Sequence, residues 1–224
     1  MNFSEIVNIL KGKNGLEFGG PTLLYESDHE LPLYPYVNLD GGNIFEDNYF
    51  QEVKEMYHYG RKTGKQYNVD CTSEEQIKTI PKKYDFIVTS HVIEHIANPI
   101  KAIKLWKKYL LNDGGYILSV IPDYRDCFDH RRKQTTIEHL IADFKNDVGE
   151  DDDTHIEEQK ELHDWSRGGH PNFYEICEMN EKTRVVHHHC FTPELTQKMF
   201  EYCIFSDTIT MKQGYLQIIN LSRV

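Results

Sequence analysis

The stretch between residues 84 and 121 constrains the fold of this chain more than any other. An apolar run from Asp85 to Thr89 is followed by a helix signal and then by a second apolar run from Tyr116 to Ile121. Strands joined through a helix rather than a tight turn belong to βα units and feed a mainly parallel sheet. The helix signal itself is specific. Asn98 supplies an N-cap, Pro99 suits the first helical position, and Ile100, Ile103, Trp106 and Leu110 recur at helical spacing. Lys101, Lys104, Lys107 and Lys108 cover much of the remaining helix surface, and Asn112, Asp113, Gly114 and Gly115 stop it and turn the chain into the next strand.

The same alternation extends upstream, with expected strands at Gly15 to Phe18, Tyr36 to Leu39 and Gln66 to Val69. Downstream, Thr192 and Pro193 open a helix that runs to about Tyr202, and Thr208 to Met211 and Tyr215 to Leu221 read as two closing strands separated by Gly214. The expected fold is therefore an α/β domain spanning residues 1–224, with a mainly parallel twisted sheet and flanking helices. Ligands of such sheets bind beyond the carboxyl ends of the strands. Between residues 122 and 186 the periodicity breaks into a polar stretch rich in His and acidic residues. It reads as an insertion or lid, with Glu150, Asp151, Asp152 and Asp153 as a solvated loop.

Charge narrows the partners. With 25 Lys and Arg against 36 Asp and Glu, the net charge of -11 opposes nonspecific attraction to nucleic acids or anionic membranes. No apolar run approaches the ~20 residues of a membrane span, and the amino terminus has no secretory signal, so the expectation is a cytoplasmic protein. The five cysteines are scattered and form no CxxC pair, which predicts reduced thiols.

Several strand ends carry residues suited to a cofactor. Glu17, Phe18, Gly19, Gly20 and Pro21 follow the first strand, and the glycine pair would let the backbone approach a ligand. The last glycine of a GxGxxG dinucleotide fingerprint is missing. Asp40, at the expected end of the second strand, lies 23 residues after Glu17, about the separation at which such folds place a carboxylate on a ribose diol. Asp70 and Cys71 end the third strand, a place to meet an adenine amino group, and Ser90 ends the fourth. Taken with the run from Tyr84 through Pro99 and from Asn112 through Pro122, these segments resemble a class I S-adenosylmethionine-dependent methyltransferase of Rossmann-like fold. The resemblance implies Glu17, Gly19 and Gly20 near the methionine end of the cofactor, Asp40 on its ribose and Asp70 with Cys71 at its adenine.

The chemistry falls to His91, Glu94 and His95. On one helical turn their spacing of three and four residues would put all three on one face, a half-site for a divalent metal. His130, or His189 from the run His187, His188 and His189, would complete it. Mixed imidazole and carboxylate donors suit Mn²⁺, Fe²⁺, Co²⁺ or Zn²⁺ better than a purely oxygen-seeking ion, with manganese the first expectation and Mg²⁺ or Zn²⁺ its alternatives. The letters also fit the HxxEH pattern of an inverted zinc protease, but Asn98 and Pro99 reset the chain too soon for its longer helix. A related arrangement holds magnesium in small-RNA 2′-O-methyltransferases. Without metal, His95 or His130 would act as base, and Glu94 would simply be hydrogen-bonded. Asp129, His130, Arg131 and Arg132 followed by Thr135 through Leu140 resemble a segment of methyltransferases of bacterial surface-glycan (capsule) biosynthesis, where the arginines would meet an anionic acceptor or else balance nearby acids. The expected activity is O-methylation of a small polar acceptor, such as a sugar or a phosphorylated glycan precursor. The competing readings are a catalytically silent binding module of the same fold and a nicotinamide-dependent oxidoreductase.

Overall fold

The computed structural model describes residues 1–44, 64–169, 171–203, 205–214 and 217–224. Seven strands form one sheet: β1 (Asn14–Phe18), β2 (Asn38–Asn43), β3 (Gln66–Asn68), β4 (Tyr84–Ser90), β5 (Leu111–Pro122), β6 (Asp207–Gln213) and β7 (Gln217–Arg223), in the order β3-β2-β1-β4-β5-β7-β6. The first five pair in parallel, whereas β7 runs antiparallel to both β5 and β6. The α/β sheet is thus the expected one. The expected start of the last strand at Tyr215 lies outside the described residues.

Alternation along the strands builds a core on each face. Phe86, Val88, Leu118 and Val120 point toward α1 (Phe3–Leu10) and the packed segment around Tyr25, Leu31 and Leu33. Ile87, Ile117 and Ile121 face the opposite layer, where the four-residue α2 (Glu74–Ile77), α3 (Pro99–Tyr109) and α8 (Pro193–Tyr202) pack. Both long helices on this face begin as their sequences dictate, with Asn98 accepting from the Lys101 amide and Thr192 from the Leu195 amide. The segment between β5 and α8 holds α4 (Ile137–Lys145), α5 (Ile156–Leu162), α6 (Phe173–Glu178) and α7 (Asn180–Thr183).

One boundary differs from expectation in a way that matters for function. The second strand lies further along, at Asn38–Asn43, so Asp40 is inside it and Gly41 and Gly42 are strand residues rather than a turn. Packing explains the shift: a Cβ on Gly42 would stand 2.7 Å from the Phe18 ring, so only glycine lets β2 run beside β1 at this point. The acidic run also differs from a solvated loop. Glu150 accepts from the Ala97 amide and pairs with Arg184, and Asp152 accepts from Thr154, while Asp151 and Asp153 are exposed.

Candidate active site

Because β2 and β3 lie on one side of β1 and β4 on the other, the sheet order reverses between β1 and β4. A cavity of about 410 Å³ opens outside the carboxyl ends of these strands, where open α/β sheets hold ligands. Its first wall is backbone-rich. Gly19 turns there with φ +76°, and an added Cβ would meet Val92 at 2.2 Å. Gly42 and Asn43 follow from the end of β2, and the Asn43 amide donates to the Gly20 carbonyl, tying that strand end to the glycine loop. Asp70, Cys71 and Thr72 form the far end. There the Trp106 indole donates to the Cys71 carbonyl at 2.7 Å, fixing the loop after β3.

Among the expected cofactor residues, Gly19, Asp70 and Cys71 line the cavity; Glu17, Gly20, Asp40 and Ser90 do not. Glu17 is buried beneath the glycine loop, where both its oxygens accept from the Tyr34 hydroxyl. Ser90 is buried beside the Tyr25 phenol. The ribose reading of Asp40 is corrected: its carboxylate accepts from the Lys65 amide at 2.8 Å and the Tyr84 hydroxyl at 2.7 Å and pairs with Lys82 at 2.9 Å, away from the cavity. Asp70 accepts from Thr72 through Oδ1 and from Arg184 through Oδ2, and Arg184 in turn pairs with Glu150.

The second wall carries titratable and aromatic side chains. After β4 the chain turns through His91, whose φ of +53° is left-handed, into a single 3₁₀ turn, Ile93–His95. This turn aims Glu94 inward. Neither of its buried oxygens has a well-aligned hydrogen-bond partner, and the nearest nitrogen is His91 Nδ1 at 3.4 Å. Burial opposes ionisation of Glu94, yet the approach of His91 and the neighbouring His95 hold its carboxyl below the ordinary value. His95 moves the other way. Burial, reinforced by His187, pushes its imidazole down to about 4, so it is unprotonated at neutral pH.

His91 and His95 stand 3.4 Å and 4.0 Å from Glu94, but His91 is not in the group of ligating atoms that Glu94 and His95 share, and the downstream histidine in that group is neither His130 nor His189. It is His187, one ligating atom of which lies within 4.8 Å of those of Glu94 and His95. His130 instead meets Asp164 at 2.7 Å, and His189 sits in a separate group with His139 and His155. His187 is set by a buried network. Its Nδ1 faces Asp129 Oδ2 at 2.5 Å, and Asp129 Oδ1 accepts from Arg132 and Gln159 at 3.0 Å each. Arg132 also donates to the His187 carbonyl and pairs with Glu158, so it is a buried structural cation rather than an anion receptor; Arg131 is exposed and lies 3.3 Å from Asp164.

Nδ1 of His187 therefore carries the proton, and Nε2 is left as an acceptor in a ring that lines the cavity. Beside it, Phe128 packs on His187 and on His163, and His163 on Phe173, with ring centroids 4.3–4.7 Å apart. Asn43, Phe128, His163, Arg184 and His187 were not singled out as cavity residues by sequence reasoning. Only the His187 to His189 run carried a signal.

Comparison with known proteins bears on the family and the fold. A family model described as a methyltransferase domain matches residues 5–183. No curated protein matches the chain in sequence. Among solved structures, an O-methyltransferase family protein from Burkholderia thailandensis is 9% identical with a TM-score of 0.52, over 98% of this chain and 55% of that one. The trans-methyltransferase CalH in complex with SAH is 12% identical with a TM-score of 0.51, over 99% and 54%. A Rhodobacter sphaeroides protein described as a zinc-dependent alcohol dehydrogenase is 13% identical with a TM-score of 0.55, over 98% and 88%. At these identities the likeness is one of fold, and the chain spans a little over half the length of the two methyltransferases.

Proposed function

Because the chain belongs to the methyltransferase domain family, we propose that it transfers the methyl group of S-adenosylmethionine to an oxygen of a small polar acceptor, with a sugar or sugar phosphate as the favoured class. The observation that carries this reading is the pairing, in one cavity, of a glycine-turned wall with an imidazole oriented by a buried carboxylate. When bound, S-adenosylmethionine supplies an activated methyl group, so the chain has to bind, align and accept a proton. Gly19 gives backbone access on one side, and Asp70 Oδ2 keeps a second lone pair for an adenine amino group. His187 Nε2 takes the acceptor hydroxyl proton as the C–O bond forms and the C–S bond breaks. Phe128, His163 and Phe173 offer an aromatic surface for the apolar face of a sugar ring. Among the described residues no helix is long and apolar enough to cross a membrane.

Calorimetric titration with S-adenosylmethionine, S-adenosylhomocysteine and NAD tests the cofactor. The expected result is binding of the first two and none of NAD; binding of NAD alone would replace methyl transfer with hydride transfer. Turnover with an acceptor panel then separates the enzyme from a silent binding module. In the same titration Asp70→Ala should weaken S-adenosylhomocysteine by about 1.5–3 kcal/mol, the worth of a charged hydrogen bond. Asp40→Ala should leave that affinity unchanged and instead lower stability by about 1–3 kcal/mol, because the Lys65 amide and Tyr84 hydroxyl lose their acceptor.

A second reading, metal assistance, rests on the buried Glu94 carboxylate, whose oxygens lack a well-aligned hydrogen bond, beside His95 and His187. A divalent ion held by these three residues would lower the acceptor's pKa. Turnover that survives exhaustive chelation sinks it.

A further inference from the structure

Behind the cavity wall lies a second group of histidines that the proposed reaction does not use. His139, His155 and His189 each present one ligating nitrogen within 4.8 Å of the other two. Their rings meet edge to face, with centroids 5.4–5.9 Å apart. They come from three separate pieces of chain: the first turn of α4, where Thr136 caps the His139 amide, the residue that begins α5, and the segment leading into α8.

Hydrogen bonding settles which of these nitrogens is available. His189 Nε2 lies 3.1 Å from the Ala97 carbonyl, which can only accept, so the ring proton is on Nε2 and Nδ1 keeps its lone pair. That Nδ1 is buried with no partner, in a residue only 2% exposed. His139 Nε2 faces Asp143 Oδ2 at 3.4 Å, a carboxylate that only accepts, so the ring proton is on Nε2 and Nδ1 keeps the lone pair. A carboxylate behind an imidazole is the arrangement that orients metal-binding histidines. A buried nitrogen of His189 without a partner, with ligating nitrogens of His139 and His155 converging on it from two other elements, calls for a missing partner, and one that accepts several nitrogen lone pairs at once is a cation.

The neighbouring His188 is excluded by the same accounting. Asn180 uses its carbonyl to accept from the Val186 amide, so its amino group donates to His188 Nε2, and the His188 proton on Nδ1 faces Asp152 at 3.4 Å. No lone pair is left to bind an ion.

We propose that His139, His155 and His189 form a transition-metal site, with zinc as the favoured ion, distinct from the cavity and serving to clamp the inserted helices α4 and α5 to the core. Three imidazoles suit zinc and disfavour magnesium or calcium, which seek oxygen. Asp143 behind His139 and Glu158, 3.9 Å from His155, balance the charge. Through Ala97 the clamp also reaches the turn that carries Glu94 and His95, so the ion would steady one cavity wall without touching the acceptor.

The test uses full-length protein free of any polyhistidine tag, stripped by chelation and titrated with zinc against a chelating dye, with cobalt as a spectroscopic stand-in. The expected result is one equivalent of zinc that raises Tm, with cobalt giving the visible bands of a site with three imidazole ligands and solvent in the fourth position, and no thiolate charge transfer. His139 is the most exposed of the three at 41%, so His139→Ala should fold. It should weaken zinc by more than the ~10–100-fold that loss of an orienting partner costs. His155→Ala should do the same, and His187→Ala should leave one equivalent bound. No zinc bound by the wild type, unchanged affinity in His139→Ala and His155→Ala, or loss confined to His187→Ala each overturns the proposal, the last by assigning the ion to the cavity.

Discussion

Arg132→Ala is expected to lower the free energy of unfolding by about 3–5 kcal/mol, the scale for removing one partner of a buried ion pair. Arg132 is 4% exposed, and its guanidinium joins Asp129, Gln159, Glu158 and the His187 carbonyl, binding together the segment after β5, α5 and the segment that leads into α8. Without it Asp129 would remain buried and ionised with too few donors. Urea denaturation of the variant measures the loss, and a change below about 1 kcal/mol would place the network among weak surface pairs. The same network fixes a pH dependence. Burial raises the Asp129 carboxyl, but the hydrogen bond from His187 and the charge and hydrogen bond of Arg132 more than reverse this and hold it well below the usual carboxylate range. A group whose folded value is depressed contributes its stability above its unfolded value, about 3.9, and loses it as pH falls from there toward the folded value. Acid unfolding of the wild type should therefore steepen below about pH 4, and Asp129→Asn should flatten that limb.

His187→Ala should reduce the methyl-transfer rate by about 10²–10⁴, the usual worth of a positioned base. Binding of S-adenosylhomocysteine should persist, which shows that the variant is folded. His130→Ala should leave the rate unchanged, because that ring is held by Asp164. Asp129→Asn should also slow turnover, since an amide at Oδ2 would reverse the His187 tautomer. Measured under saturating acceptor, a fall in kcat with KM constant marks His187 as the base. A rise in KM alone would make it a binding residue, and the proton would then pass to His95.

What could be read from the sequence was local. The caps of α3 and α8, the strands β1, β4 and β5, and the parallel character of the sheet follow from side-chain periods and turn residues within a dozen positions of one another. Gly19, Asp70, Cys71, His91 and His95 were found at the cavity for the same reason, since each follows a strand, and strand ends are where this sheet binds. Asp40 stood at the expected end of the second strand, whereas β2 runs on to Asn43, with glycine at position 42 where the bulk of Phe18 on the adjacent strand demands it.

The sequence by itself thus determined the sheet, its helices and the rim on which chemistry could occur. It did not determine which distant side chains meet there. Asp129 finds His187 58 residues away, and Asp70 finds Arg184 114 residues away. His139, His155 and His189 converge from three elements. A periodic pattern records which face of an element is buried, because burial is a property of that element and its solvent. A buried proton acceptor or metal ligand is defined by the lone pair left over after every neighbour has taken its hydrogen bond, and only the packed chain fixes those neighbours.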